Sequence, residues 1–341
     1  MTLPSCSVPP LDSRGAATAA RYHVVGIGNA LVDVIAHHSE DFIEAQALVK
    51  GSMTLIEADR ALSLHAALEA PIEMSGGSAA NTMCGVASFG GRAAYIGKVA
   101  ADGLGEVFHH DLRAEGVAFP NPRARADVPT GRCLIVVTPD AQRTMNTFLG
   151  VSSLLGPDDV STDVAASGQV VYMEGYLYDR PEAKAAYRKA ASVAHAAGRK
   201  VSLTLSDSFC VDRHRDDFLA LVRDEVDLLF SNDDELRALY EVGSLDDAVA
   251  RVRQDCELAM VTIGSDGSLV VTQDDVIAVK AEPVSHVVDT TGAGDLYAAG
   301  FLYGYSSGAD LAECGRLGSV AAAEVISHVG ARPLVPLRRL A

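Results

Sequence analysis

The sequence predicts an α/β fold: a mostly parallel central sheet with helices on both faces, and a small β layer set apart from it. Three observations carry this expectation. From Gln169 onward, strand-like and helix-like segments alternate, the pattern of parallel strands joined by crossover helices. Between Gly131 and Phe148 the pattern changes to two alternating β-prone runs, R-C-L-I-V-V-T-P and R-T-M-N-T-F, around the turn Pro139-Asp140-Ala141-Gln142. Two helices, moreover, open on glycine-rich turns, at Ser75 to Asn81 and at Asp289 to Asp295.

Taken in order, Tyr22 to Ile27 is β-branched and bounded by Gly26 and Gly28, as expected for a buried strand ending in a tight turn. Asn29 and Asp33 flank Ala30-Leu31-Val32, and the residues to about Arg60 are mixed, with short-strand alternation around Ser52 to Ile56. Ala61 to Leu68 has helical periodicity. An Ala-, Gly- and Cys-rich helix follows Ser75 and runs to about Phe89, where Gly90-Gly91 stops it before a strand at Ala93 to Gly97. After the hairpin come strand Val170 to Met173, helix Pro181 to Ala197, strand Val201 to Leu205, a helix at about Phe218 to Val222 and strand Val226 to Phe230. Helices at Asp233 to Tyr240 and Leu245 to Arg253, strand Leu258 to Ile263 and a hairpin through Ser268 to Val271 complete the alternation.

The chain has 341 residues, enough for one large domain with an appended element. Its 28 basic and 45 acidic residues give a net charge of -17, which opposes nucleic acid or an anionic membrane as the main partner. A polyanionic ligand must then be met by local amides, a cation or a few arginines. The six cysteines (Cys6, Cys84, Cys133, Cys210, Cys256, Cys314) form no C-x-x-C pair and read as reduced, buried thiols. The first twenty residues lack a basic start and a continuous apolar stretch, so no secretory signal is expected, and the tail is expected to be disordered. No run approaches the roughly 18 apolar residues of a membrane span, which leads to the expectation of a cytoplasmic protein.

Asp289-Thr290-Thr291-Gly292-Ala293-Gly294-Asp295, followed by the apolar run Leu296 to Gly304, is a glycine-rich turn opening into a helix. The first amides of a helix have no intrahelical acceptor and point outward with the positive end of the macrodipole, so such a turn makes an anion site. An acid there would repel the anion unless it serves to take a proton from an attacking hydroxyl, the arrangement that phosphoryl transfer requires. A plain helix cap needs fewer of these residues. The chain has no G-x-x-x-x-G-K-[ST] loop; its nearest approach, Gly91 to Lys98, is one residue too long and is followed by Val99. Gly26-x-Gly28 lacks the third glycine of a dinucleotide fingerprint, Leu31 standing in its place.

Ligands of open α/β sheets collect at the carboxyl ends of strands. Five loops suit that rim: Gly28 to Asp33, Ser75 to Asn81, Ser231 to Glu235, Thr262 to Gly267 and Asp289 to Asp295. Asp33, with Asn29, the Gly76-Gly77 turn and Asn81, can clamp a vicinal diol, because a carboxylate accepts two hydroxyl protons while an amide both donates and accepts; that implies a sugar ring. Asn232 and Glu235 are either dipole compensation at a helix start or organisers of hydrated magnesium. Thr262, Gly264 and Gly267 border a strand end fit for close approach by a nucleotide, or form a hairpin turn. Arg143 lies within reach of a transferred phosphoryl group if the hairpin folds over the rim. Met53, Leu55, Val136 and Phe148 are candidate walls for an apolar slot, and Arg213-His214-Arg215 reads as a solvated loop.

Together G-I-G-N-A-L-V-D, S-G-G-S-A-A-N-T with G-G-R-A-A-Y-I-G-K, and D-T-T-G-A-G-D-L-Y-A-A-G-F resemble the ribokinase-like, PfkB-type family of carbohydrate and purine kinases, over about Tyr22 to Pro336. Within it the chain is most similar to bacterial adenosine kinases, through T-G-R-C-L-I-V-V-T-P-D, R-T-M-N-T-F-L-G and G-A-R-P. The resemblance implies an αβα sandwich, residues 22–34, 61–124 and 151–341, with a small β lid, residues 35–60 and 125–150, after a tail at 1–21. It implies magnesium-dependent transfer of the γ-phosphoryl group of ATP to a primary hydroxyl: the 5′-hydroxyl of adenosine, giving AMP in purine salvage. A free sugar such as ribose or fructose is the alternative acceptor, and a nucleoside-binding module without turnover a distant one. A small-molecule partner, neither nucleic acid nor membrane, and a monomer or homodimer go with it.

By that resemblance Asp295 is the general base, and the amides of Gly292, Ala293 and Gly294 are the anion hole. Asp33, Gly77, Ser78 and Asn81 are the sugar contacts, while Asn232 and Glu235 form the N-x-x-E element that serves magnesium, through water, and phosphate. Asp289 and Thr291 match a potassium site with carbonyls from around Ser327 to Gly330, although Leu334 stands where ribokinases tend to carry serine. Ala100-Ala101-Asp102 stands where relatives often have two consecutive acids.

Overall fold

The computed structural model describes residues 19–125, 127–140 and 142–341, so the expected disorder of the tail falls, for residues 1–18, outside the described residues. The chain runs β1 (Tyr22–Ile27), β2 (Leu31–His37), α1 (Glu40–Ala45), β3 (Met53–Leu55), α2 (Ala58–Ala67), β4 (Ile72–Gly76), α3 (Ser78–Ser88), β5 (Ala93–Ile96), α4 (Gly103–Ala114) and β6 (Val117–Ala118). It continues through β7 (Gly131–Val137), β8 (Arg143–Phe148), α5 (Thr162–Ala165), β9 (Gly168–Glu174), α6 (Pro181–Ala196), β10 (Lys200–Thr204), α7 (Ser208–Asp224), β11 (Leu228–Asn232) and α8 (Asp233–Tyr240). The last elements are α9 (Leu245–Asp255), β12 (Leu258–Thr262), β13 (Ser268–Thr272), β14 (Val276–Val279), α10 (Ala293–Ser307) and α11 (Leu311–Val325).

Among the described residues nine strands form one sheet in the order β14-β13-β12-β11-β10-β9-β1-β5-β6, and five form a second, β3-β8-β7-β2-β4. From β6 to β12 every pairing in the large sheet is parallel; β13 and β14 add an antiparallel edge. Both faces are covered, so its strands read as unbroken apolar runs such as V-V-Y-M. Val24, Val170 and Tyr172 pack on the face of α3 and α10, while Val25, Val171 and Met173 pack on the face of α6 and α7, the two-residue period sorting them. The small residues of α3 and α10 let these helices approach closely: a Cβ on Gly85 would stand 2.5 Å from the Ala299 Cβ.

The Gly131–Phe148 hairpin is present as antiparallel β7 and β8, its turn residue Ala141 lying outside the described residues. Strands β2, β4, β6 and β14 were not expected. β2 alternates as L-V-D-V-I-A-H, buried at Val32, Val34 and Ala36, but an aspartate in mid-run reads as a turn from sequence alone. β2 and β4 belong to the five-stranded sheet, so residues 31–34 and 72–76 leave the large domain to which the sequence assigned them. The helix expected from Phe218 begins at Ser208, where Asp207 caps it by accepting from the Cys210 amide. Arg213-His214-Arg215 lies inside that helix at a kink, not in a loop: His214 and Arg213 meet Asp179, and Arg215 meets Asp212 and Glu241. No helix among the described residues is long and apolar enough to cross a membrane.

Candidate active site

Because the strands from β1 to β12 are parallel, the turns after β1, β9, β10, β11 and β12 leave the sheet along one edge. Two long helices begin there on left-handed glycines, α3 on Gly77 (φ 95°) and α10 on Gly292 (φ 80°). Neither position admits a side chain: a Cβ on Gly77 would lie 2.3 Å from the Asn29 carbonyl oxygen, and one on Gly292 2.8 Å from the Ala331 Cβ. Ala293 N donates to Thr290 O and Leu296 N to Gly292 O, which leaves the amides of Gly294 and Asp295 without a backbone acceptor among the described residues. Gly294 itself has open space around it.

The two helix starts converge on Asp295. Its Oδ1 accepts from Ser78 Oγ at 2.6 Å and its Oδ2 from Asn81 Nδ2 at 2.9 Å. Three residues apart, Ser78 and Asn81 share one face of α3, so a single helix fixes both oxygens. Burial in the cleft raises the Asp295 carboxyl above the usual range, while these two hydrogen bonds and the charge of Arg332 pull it back. Asp33, on β2, is pushed up to about 6 by burial, opposed by Arg143 and Arg332 and reinforced by the charge of Asp295. Gly76 lies against it: a Cβ there would stand 2.4 Å from the Asp33 Cγ. Asp33 thus interacts electrostatically with Asp295, Arg143 and Arg332, and the two free amides open the helix that carries Asp295.

Several expected contacts take different roles. Asn29 does not clamp a ligand with its amide; it is 2% exposed, its main-chain N and Nδ2 donate to Glu174 Oε1 at 3.2 and 2.9 Å, and its Oδ1 accepts from Ser152 Oγ. Ser78 and Asn81 are engaged with Asp295. Glu174, missed in the sequence, is 1% exposed and also accepts from Ala79 N at 2.9 Å, tying the β9 end to the first turn of α3; burial pushes it up to about 7. Its sequence signal was an acid closing a buried apolar strand. Arg332, also missed, was visible only as part of G-A-R-P.

Arg143, on β8, is ion-paired with Asp289, both nearly buried, rather than open to a ligand. Asp289 also accepts from Thr291 N and Oγ1 and from Gly330 N at 3.0, 2.6 and 3.0 Å. The Asp289 side chain expected at a potassium site is thus engaged by the Arg143 guanidinium, Thr291 and the Gly330 N–H. On the nucleotide side, Asn232 and Glu235 form a reciprocal cap: Asn232 Oδ1 accepts from Glu235 N, and Glu235 accepts from Asn232 N and Nδ2 at 3.0 and 2.7 Å. Glu235 is pushed up to about 7 by burial and by Asp207, Asp234 and Asp233. Arg237 pairs with Asp233 and Asp234, and the remaining acidic character of this corner suits a hydrated divalent cation held through water; no cluster of three or more His, Cys, Asp or Glu able to ligate a metal directly occurs among the described residues.

Thr262 pairs with Asn232 at the ends of β12 and β11. Gly264 is open, but Gly267 serves the hairpin, since a Cβ would lie 2.1 Å from the Val279 carbonyl oxygen. Leu55 and Phe148 line a cleft of about 330 Å³ beside Asn29, with Leu149 and Tyr176. Val136 is no wall of it, being buried on the opposite face of the small sheet with Leu134; Met53 is exposed on the face that carries Asp33.

Comparison with known proteins agrees with this geometry. Residues 49–338 match the pfkB family carbohydrate kinase. The adenosine kinase of Sinorhizobium meliloti superposes with a TM-score of 0.87 at 52% identity, over 94% of this chain and 98% of that one. A probable sugar kinase from Rhizobium etli gives 0.87 at 46% identity over the same shares. Adenosine kinase of Saccharomyces cerevisiae is 27% identical over 90% of this chain and 95% of its own length. The chain belongs to the pfkB family of carbohydrate kinases, phosphotransferases that act on a hydroxyl group.

Proposed function

We propose that this protein transfers the γ-phosphoryl group of ATP to the 5′-hydroxyl of adenosine, giving AMP and ADP. The observation that carries the reading is the Asp295 carboxylate, gripped by Ser78 and Asn81 at the mouth of α10, beside two uncommitted amides and across from Asp33. Asp33 accepts hydroxyl protons of the ribose. Asp295 takes the 5′ proton as that oxygen attacks the γ-phosphorus, and the bond to the β-phosphate oxygen breaks with ADP as leaving group. The amides of Gly294 and Asp295, with the dipole of α10, stabilise charge on the transferred group, a role worth roughly 3 kcal/mol per donor in comparable sites. Asn232 and Glu235 would hold magnesium through water, and the bound ion would supply neutralisation of phosphate charge. The cleft lined by Leu55 and Phe148, which also carries Asn29, Glu57, Asp179 and Arg180, offers a purine apolar and polar surface that a bare sugar does not need. The five described cysteines, all free and buried, suit a cytoplasmic setting in purine salvage.

A free sugar is the second reading, favoured by the 46% identity to a probable sugar kinase. ADP release measured with adenosine, inosine, ribose and fructose decides between them. Adenosine is expected to give the highest kcat/KM; preference for a free sugar would overturn the nucleoside assignment and leave the family assignment intact.

A further inference from the structure

The segment Gly330-Ala331-Arg332-Pro333 is clasped between the two glycine turns. Gly330 N donates to Asp289 at 3.0 Å, Ala331 occupies the space that a side chain at position 292 would need, and Arg332 Nη2 donates to Ser75 O and Oγ at 2.9 and 3.2 Å. Farther on, Leu337 N donates to Ser88 Oγ at 2.9 Å, so this stretch follows α3 from end to end. Yet the guanidinium is poorly served: its Nε and Nη1 are buried without any hydrogen-bond partner. A cation with orphaned donors is expensive to bury, and it is retained where nearby charge compensates it.

We infer that Arg332 is a positioning residue for the transfer: wedged between the two turns, its fixed charge keeps the Asp33 and Asp295 carboxylates ionised side by side. The groups facing Asp295 otherwise favour its neutral form or are neutral themselves. Asp33, Glu174, Tyr172 and Tyr176 are acids whose charged forms it opposes, and Ser78 and Asn81 are uncharged donors. Arg143 acts on Asp33 but is committed to Asp289, which leaves Arg332 as the cation whose field reaches Asp295. Neither arginine was singled out as a charge partner for the base by its place in the sequence.

The inference rests on Asp295 being the base, and the test separates the two. ADP release with adenosine is followed from pH 5.5 to 9 for wild type, Arg332→Gln, Arg332→Lys and Asp295→Asn. With the charge removed, the acid limb of kcat/KM in Arg332→Gln moves about one unit to higher pH, a deficit that approaches roughly tenfold on the acid side of the limb and narrows toward the alkaline plateau. Arg332→Lys, which keeps a charge but not the fork, holds the limb at its wild-type position. A uniform loss at every pH in Arg332→Gln, or an unmoved limb, overturns the inference, since either makes the side chain a strut. Should Arg332→Gln show no cooperative melt, the lysine variant decides alone: a limb at the wild-type position supports the inference and a shifted one overturns it. If Asp295→Asn turns over like wild type, the base assignment fails instead, whatever the arginine variants do.

Discussion

In the alcohol-binding half of the cleft, Asp295 is held by residues 217 and 214 positions away in the chain, whereas in the nucleotide half Asn232 and Glu235, three apart, hold one another. A short-range pair of that kind is what any well-capped helix shows. The long-range grip on Asp295 has no such explanation: a helix needs its N-terminal amides satisfied, not a carboxylate held by the side chains of a different helix. Contacts that cost sequence separation and leave amides free are the stronger sign of chemistry, and the comparison can be broken from either side.

The largest effect is expected at Asp295. Asp295→Asn removes the proton acceptor while leaving a group that Ser78 can still approach, so kcat should fall about 10²- to 10⁴-fold with both substrates still bound. Steady-state ADP release together with calorimetric binding of adenosine and ATP checks it. Turnover within a few-fold of wild type would place the long-range grip in the scaffold and erase the difference between the halves.

Asp33 comes next. Hydrogen bonds to a charged group are worth about 1.5–3 kcal/mol, so Asp33→Asn should raise KM for the nucleoside roughly ten- to a hundredfold, with a smaller change in kcat. An unchanged KM, or an equal rise in KM for ATP, would remove Asp33 from the sugar clamp.

Much of this half was legible in the sequence because its turns announce themselves. Gly76, Gly77 and Gly292 are forced by close approach or a left-handed backbone, and glycine-led helix starts follow from composition. The alternation after Gln169 gave the large sheet for the same reason: parallel strands buried on both faces are plain in the chain. What could not be read was pairing across distance. Nothing local tells that Asn29 spends its amide on Glu174 rather than on a ligand, that Arg143 closes on Asp289, or that Arg332 enters between two turns. β2 was hidden by Asp33, which interrupts an apolar alternation that would otherwise be read as a strand. Val136, a candidate wall by composition, is buried on the face away from Asp33, and that face is decided by pairing with β2, outside the hairpin.

Glu235 sharpens the comparison from the nucleotide side. Glu235→Gln keeps an oxygen for the Asn232 amide and removes the charge, so the cap should lose only about 1 kcal/mol while the magnesium concentration for half-maximal rate rises severalfold. A magnesium titration at fixed ATP checks this; an unaltered requirement, with a lowered melting point, returns the pair to capping alone.

The smallest change is expected in stability with pH, and it follows from burial in both halves. Glu174 and Glu235 are raised from 4.5 to about 7, and Asp33 from 3.8 to about 6, chiefly by burial. A carboxyl with a raised folded pKa favours the fold in its neutral form, so its contribution is complete below the unfolded value and is lost as pH climbs through the folded one. His23 and His109, lowered by burial, act in the opposite sense below pH 6.5, but both are partly exposed and weigh less. Asp289 and Asp102, held low, change nothing above pH 5. The thermal midpoint should therefore decline by roughly a few degrees between pH 5 and 8. Glu174 has the deepest carboxylate of the three, so Glu174→Gln should flatten that decline more than Glu235→Gln does. A midpoint that rises across the same window would mean these acids are ionised in the fold without penalty, and the distinction between a strained inner half and a self-satisfied outer one would lose its energetic basis.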